Sequence, residues 1–87
     1  MRDVYDFAKF FIKNGADSSP NTYDGNMKLQ KLLVFADLAN IAEYGEPLFG
    51  DQVLAFKNGC VVEKVRLRYK NDYVAFYNDS KSYQMNQ

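Results

Sequence analysis

Apolar residues recur over the first fourteen positions with the spacing of a helix. Val4, Phe7, Ala8 and Phe11 fall at i, i+3, i+4 and i+7 and make one stripe, which Tyr5, Phe10 and Ile12 widen. Asp3 stands where a side chain can cap the first turn, and Asp6 lies where the helix dipole favours negative charge. Gly15 then offers a left-handed stop, so a helix is expected over 3–14. The next stretch, 16–25, is almost wholly turn-forming. It reads as a polar connector, longer than the roughly 2–8 residues usual between packed helices.

A second helix is expected over 26–44, capped by Asn26 and ended by Gly45 and Pro47. Leu29, Leu32, Leu33, Ala36, Ala39 and Ala42 form its main face, while Val34, Phe35, Leu38 and Ile41 cover much of the rest. A helix apolar on most sides is normally central, packed on several flanks. Beyond it, 52–56 is an apolar segment between turn signals, fit for a short strand or an ordered loop. Residues 61–70 are ambiguous. Val65, Leu67 and Tyr69 alternate with Arg66, Arg68 and Lys70 as in a strand, yet Val62, Val65 and Tyr69 also fit a helical stripe. Tyr73 to Tyr77, β-branched and aromatic, reads as a short β element near the C-terminus, and 78–87 as a polar tail. The expected fold is mainly α, a small α+β domain compact around the 26–44 helix. One domain over 1–77 accounts for the length.

Composition removes whole classes of chemistry. No histidine is present, so a histidine base, a histidine general acid or a His-containing zinc site cannot be built from this chain alone. Cys60 is the only cysteine, which rules out an internal disulfide and a Cys cluster. With no histidine to activate it, Cys60 is expected to be a partly buried, inert thiol suited to a reducing, cytoplasmic setting. No apolar run reaches the ~18 residues of a spanning helix. Eleven basic and eleven acidic residues leave no surplus of positive charge for nonspecific nucleic-acid binding. No catalytic residue, metal site or cofactor is indicated.

Met27 to Ala36 (MKLQKLLVFA) resembles the LQKLL-type helix of the Panacea domain family, which includes SocA-like antitoxins and phage-associated proteins. The resemblance continues through Tyr44-Gly45-Glu46-Pro47-Leu48-Phe49 and on to Ala55–Val62, which is similar to the family's A-W-x-x-G-P-V-V segment. With the first helix included it spans roughly residues 3–70, three blocks in order. Phe56 stands in place of the family's Trp, keeping an aromatic plug without the indole donor. Cys60 stands in place of Pro, freeing φ and restoring an N–H. The family's domain usually continues with further helices, so this chain is short beside it. The resemblance also favours a helix over 61–70.

What the resemblance implies is an antitoxin: a stoichiometric, non-enzymatic protein that binds a cognate toxin. SocA-like members further suggest an adaptor that hands the toxin to an ATP-dependent protease. The candidate partner-binding residues are Lys28, Gln30, Lys31, Tyr44, Lys57 and Asn58. Lys28 and Lys31 oppose the helix dipole by about 0.3–1 kcal/mol each, a local rule broken where function could use it. Gln30 could instead tie its helix to the following segment by side-chain hydrogen bonds. Lys57-Asn58-Gly59 is a turn able to present backbone groups, or simply a corner. Tyr44, Tyr69, Tyr73 and Tyr77 suit a recognition surface, or equally fill a thin core. The alternatives are a nucleic-acid-associated regulatory module using Lys64, Arg66, Arg68 and Lys70, or a phage accessory protein. Pattern does not fix the oligomeric state, but so thin a core with aromatics to spare is a candidate for stability through pairing.

Overall fold

The computed structural model describes residues 2–50, 53–56 and 59–84. Helix α1 (Val4–Lys13) and helix α2 (Tyr23–Tyr44) are followed by strands β1 (Val53–Phe56) and β2 (Gly59–Val62), then helices α3 (Glu63–Asn71) and α4 (Tyr73–Lys81). The strands form an antiparallel hairpin in which Val53 faces Val62 and Phe56 faces Gly59. The fold is therefore mainly α. Its β element lies in the middle of the chain: β1 in the segment read as strand or ordered loop, and β2 running from Gly59 of the expected turn into the start of the ambiguous 61–70 stretch.

Four tightly specified ends hold α1 and α2 in place. Asp3 Oδ1 accepts from the Tyr5 amide at 3.0 Å, capping α1 as expected. At its other end the Ala16 amide donates to Phe11 O and the Gly15 amide to Ile12 O, a paired closure that needs Gly15 at φ +84°. The N-cap of α2 is Thr22, whose Oγ1 accepts from the Gly25 amide at 3.0 Å. This corrects the expected start at Asn26, which lies one turn inside the helix and is buried. Gly45, at φ +76°, closes α2 as foreseen, its amide donating to Ile41 O at 2.8 Å.

The core joins all four helices to β2. Val4, Ala8 and Ile12 of α1 meet Leu29 and Leu33 of α2, Val62 of β2, Val65 and Tyr69 of α3, and Phe76 of α4, with Phe49 closing one end. The stripe Val62, Val65, Tyr69 is buried throughout, and the helix favoured for this region is present from Glu63 onward. Val61 and Val62 belong to β2 instead. The strand expected at Tyr73–Tyr77 is replaced by α4. Only Phe76 and Ser80, four apart, are buried there, and that spacing satisfies a helix lying on α1 whereas a strand would have needed an edge to pair with. Residues 78–81, read as the start of a polar tail, form the last turn of α4, where Ser80 Oγ donates to Phe76 O at 2.8 Å.

The expectation of a wrapped central helix holds for only half of α2. Its buried residues, Gly25, Asn26, Leu29, Gln30 and Leu33, all lie in the first half. In the second half Phe35 is 72% exposed, Leu38 59% and Tyr44 70%, and Ala39 and Ala42 are exposed too. A 22-residue helix is about 33 Å long. It spans the full width of a body measuring 36 × 35 × 18 Å, and its neighbours reach only one end of it. Segment 45–49 does fold back against α2. Asp37 Oδ1 accepts from the Leu48 amide at 2.8 Å and Asn40 Nδ2 donates to Glu46 O at 2.9 Å.

Candidate functional site

A polar clasp inside the protein sets the position of everything around α2. Gln30, 1% exposed, accepts from the Val62 amide through Oε1 at 2.8 Å and donates from Nε2 to Asn26 Oδ1 at 3.0 Å. Asn26 in turn donates from Nδ2 to Arg66 O at 3.1 Å. Two amides one turn apart on α2 thus satisfy the end of β2 and the backbone of α3. Among the candidate contact residues, Gln30 is therefore turned inward, in the tying role weighed for it from sequence. The Gln of this LQKLL segment meets the strand-end amide at that depth and holds Asn26, which meets the helix carbonyl.

A second clasp orders the connector before α2. Tyr69 Oη donates to Asp17 Oδ1 at 2.7 Å and Tyr73 Oη donates to Asp17 Oδ2, while the Asn21 amide donates to Tyr69 Oη at 3.1 Å. Tyr69 and Tyr73 meet edge to face at 4.8 Å, and Tyr73 stacks on Tyr77. Burial, reinforced by the hydrogen bond to Asp17 and its negative charge, pushes both phenols well above their ordinary pKa. Two of the four tyrosines proposed as a recognition surface therefore serve the fold. Asp17 carried no signal in the sequence, being one polar residue in a polar loop.

On the outside, Lys28, Lys31, Phe35, Leu38, Ala39 and Ala42 follow one another at intervals of 3, 4, 3, 1 and 3 residues, so they share one face of α2, and all are exposed. Lys28 Nζ donates to Ser18 Oγ at 3.0 Å, tying the connector to this face. The exposure of the large apolar residues of this face is the feature that hydrophobic patterning did not reveal. Phe35 and Leu38 looked like core because nothing in the sequence says which neighbours exist. Tyr44 is also exposed, at the far end of α2 and on its opposite side, beside a cleft of about 320 Å³ that includes Arg2, Asn40 and Pro47. Lys57, Asn58 and the Phe56 side chain lie outside the described residues. Cys60 is exposed near the turn end of the hairpin, not partly buried as expected, because the body of the protein begins only at Val61.

The basic run on α3 does not assemble into a single face. Arg66 pairs with Glu63, Arg68 Nη2 bonds Asp79 Oδ2 at 2.6 Å, and the Arg68 guanidinium lies over the Phe76 ring at 4.6 Å. Among the described residues no group of three or more Cys, Asp or Glu converges to hold a metal ion, and no helix is long and apolar enough to cross a membrane.

No curated protein and no solved structure matches the chain. A family model does, under the description "Antitoxin SocA-like, Panacea domain", over residues 29–87. That match begins on α2 at Leu29, the first residue of LQKLL, and takes in the hairpin, α3 and α4, so it extends past the C-terminal end of the 3–70 resemblance but does not include α1 and the connector. With two thirds of its length so matched, the chain belongs to the SocA-like antitoxin family of Panacea domains.

Proposed function

We propose that this protein is an antitoxin that neutralises a cognate toxin by direct complex formation, without catalysis, in the cytoplasm. The observation that carries the reading is the exposed apolar face of α2, borne by a member of an antitoxin family. Contiguous apolar surface on a small domain marks a protein-binding site, and aromatic residues flanked by long cations are the composition such sites favour. Lys28 and Lys31 steer the toxin and Phe35 and Leu38 anchor it, while Tyr44, on the opposite side at the far end of α2, is proposed as a separate contact. Lys57 and Asn58, between β1 and β2 in the sequence, are proposed as further contacts. Gln30 contributes by holding α2 in register with β2. Delivery of the bound toxin to an ATP-dependent protease is a further step that the same complex could serve.

Co-expression with the adjacent gene tests this. The neighbour alone should arrest growth, the pair should grow, and the two proteins should co-purify in a 1:1 complex. Phe35→Glu should abolish rescue while leaving the fold intact. A toxic neighbour still silenced by the Phe35→Glu variant refutes the assigned face, and a harmless neighbour that does not co-purify refutes the pairing. Toxin levels that fall only in protease-competent cells would support delivery over simple blockade.

A further inference from the structure

We propose that the exposed face of α2 is self-complementary and that the free protein is a two-fold symmetric dimer in which two α2 helices pair antiparallel. The polarity of the face carries the inference. Along α2 it begins with two cations, Lys28 and Lys31, continues with Phe35, Leu38, Ala39 and Ala42, and ends beside two anions, Glu43 and Glu46. Each of these residues is exposed. A parallel partner would set cation on cation. An antiparallel one sets cation on anion twice.

The register follows from the spacing. Phe35 and Leu38 are three apart, as are Lys28 and Lys31, and the two sets are separated by heptads: 28, 35 and 42 in one row, 31 and 38 in the other. Antiparallel pairing layers one row on the other. With the two-fold axis beside Ala36 and Asp37, Phe35 packs on the partner's Leu38 and Leu38 on the partner's Phe35. Lys31 then lies over the partner's Ala42, its ammonium within reach of the partner's Glu43. Lys28 comes opposite the partner's Gly45 and Glu46. Ala39 and Ala42 are small where the aromatic rings need space, which lets the helices approach closely. The same residues meet each other's counterparts across the axis, as an isologous interface requires.

The area is adequate for a real but modest interface. At 150–250 Å² for a buried aromatic, with Leu38, Ile41, the alanines and the lysine stems added, each copy contributes on the order of 500 Å². The pair buries about 1,000 Å², the lower bound for a specific interface, so concentration-dependent, reversible pairing is expected. Self-pairing does not depend on the toxin reading. Only its corollary rests on that reading: pairing and toxin binding compete for one face, so a toxin must part the dimer to be neutralised.

Sedimentation velocity on the free, full chain between about 1 and 500 μM gives the test. The native protein should pass from monomer to dimer. Phe35→Glu should weaken pairing by about 100-fold or more with its helical circular dichroism and melting temperature retained, since Phe35 is exposed in the monomer. Lys31→Glu and Glu43→Lys should each weaken it by roughly tenfold. An equimolar mixture of those two variants should dimerise again, because each heterologous contact then sets Lys against Glu. A native chain that stays monomeric overturns the proposal, as does a dimer that survives Phe35→Glu. A mixture that fails to recover overturns the antiparallel register. Should α2 amides of a monomeric chain gain exchange protection only with the adjacent gene's product, the face belongs to that toxin and not to a second copy.

Discussion

Replacing Gln30 by Met would keep the side chain's length and approximate volume while removing both of its hydrogen bonds. Two polar atoms then lose their partners inside the protein: the Val62 N–H, 2.8 Å from Gln30 Oε1, and Asn26 Oδ1, 3.0 Å from Gln30 Nε2. An orphaned buried donor or acceptor costs about 1–3 kcal/mol, and relaxation around the pair sets the total near 2–4 kcal/mol. Against a total stability on the order of 5–10 kcal/mol for a domain this small, that is a large fraction. At about 4–8 °C per kcal/mol the melting temperature should fall by roughly 8–32 °C. Thermal and urea denaturation measure the loss. Hydrogen exchange locates it, because the Val62 amide should lose protection while amides in the middle of α1 change only with global stability. Adding Asn26→Leu removes one of the orphans and should cost less than the sum of the singles. A Gln30→Met protein within 0.5 kcal/mol of native, or one that loses toxin binding at unchanged stability, would refute the internal role and make Gln30 a contact residue.

Gly25 is expected to tolerate no side chain. A Cβ there would meet Ser19 O at 2.2 Å and Tyr69 Oη at 2.5 Å, so Gly25→Ala should destabilise by about 2 kcal/mol or more despite the better helix propensity of Ala, as read by the urea midpoint. The Asp17 clasp should make the protein sensitive to alkali. Tyr69 and Tyr73 have phenols raised above the ordinary value of about 10 by burial and Asp17. Their contribution is complete below pH ~10 and is lost as pH rises above it, where the unfolded chain ionises first. Phenolate absorbance should show a late-titrating component that coincides with unfolding and is lost in Tyr69→Phe/Tyr73→Phe, and its absence from the native protein would refute the clasp.

The helices were legible in the sequence where a single face had to be buried. Val4, Ala8 and Ile12 point to α1 because a 3.6-residue repeat is a local property, whereas Val62, Val65 and Tyr69 lie in a stretch that fits a strand alternation as well, and only the family resemblance favoured the helix that became α3. Gly15 and Gly45 were legible for the same reason, as their left-handed turns leave a local signature. What escaped depended on neighbours far along the chain. Asn26 has the chemistry of a cap, and only the approach of α3 makes it an internal donor to Arg66 O, forty residues on. Tyr73-Val74-Ala75-Phe76-Tyr77 has strand composition, and it became helix once α1 offered a surface for Phe76 and Ser80. The apolar residues of α2 announced a helix but not their own exposure. Hydropathy reports what a side chain prefers to leave, and among the described residues nothing buries Phe35 or Leu38.

The pairing of α1 with α4 has a consequence for synthesis on the ribosome. Lys13 Nζ donates to Tyr83 O, 70 residues away, and Asp17 waits for Tyr69 and Tyr73, 52 and 56 residues away. As the chain emerges, α1, the connector and α2 therefore have no stable place to rest. At about 5–20 residues per second, the nascent protein spends several seconds with Phe35 and Leu38 exposed beside an unfinished core. Contacts so distant in sequence make folding late and abrupt rather than stepwise. An interrupted translation thus releases an unfolded chain, readily degraded, rather than a partly working one. The amount of functional protein in the cell would then follow the completion of translation closely.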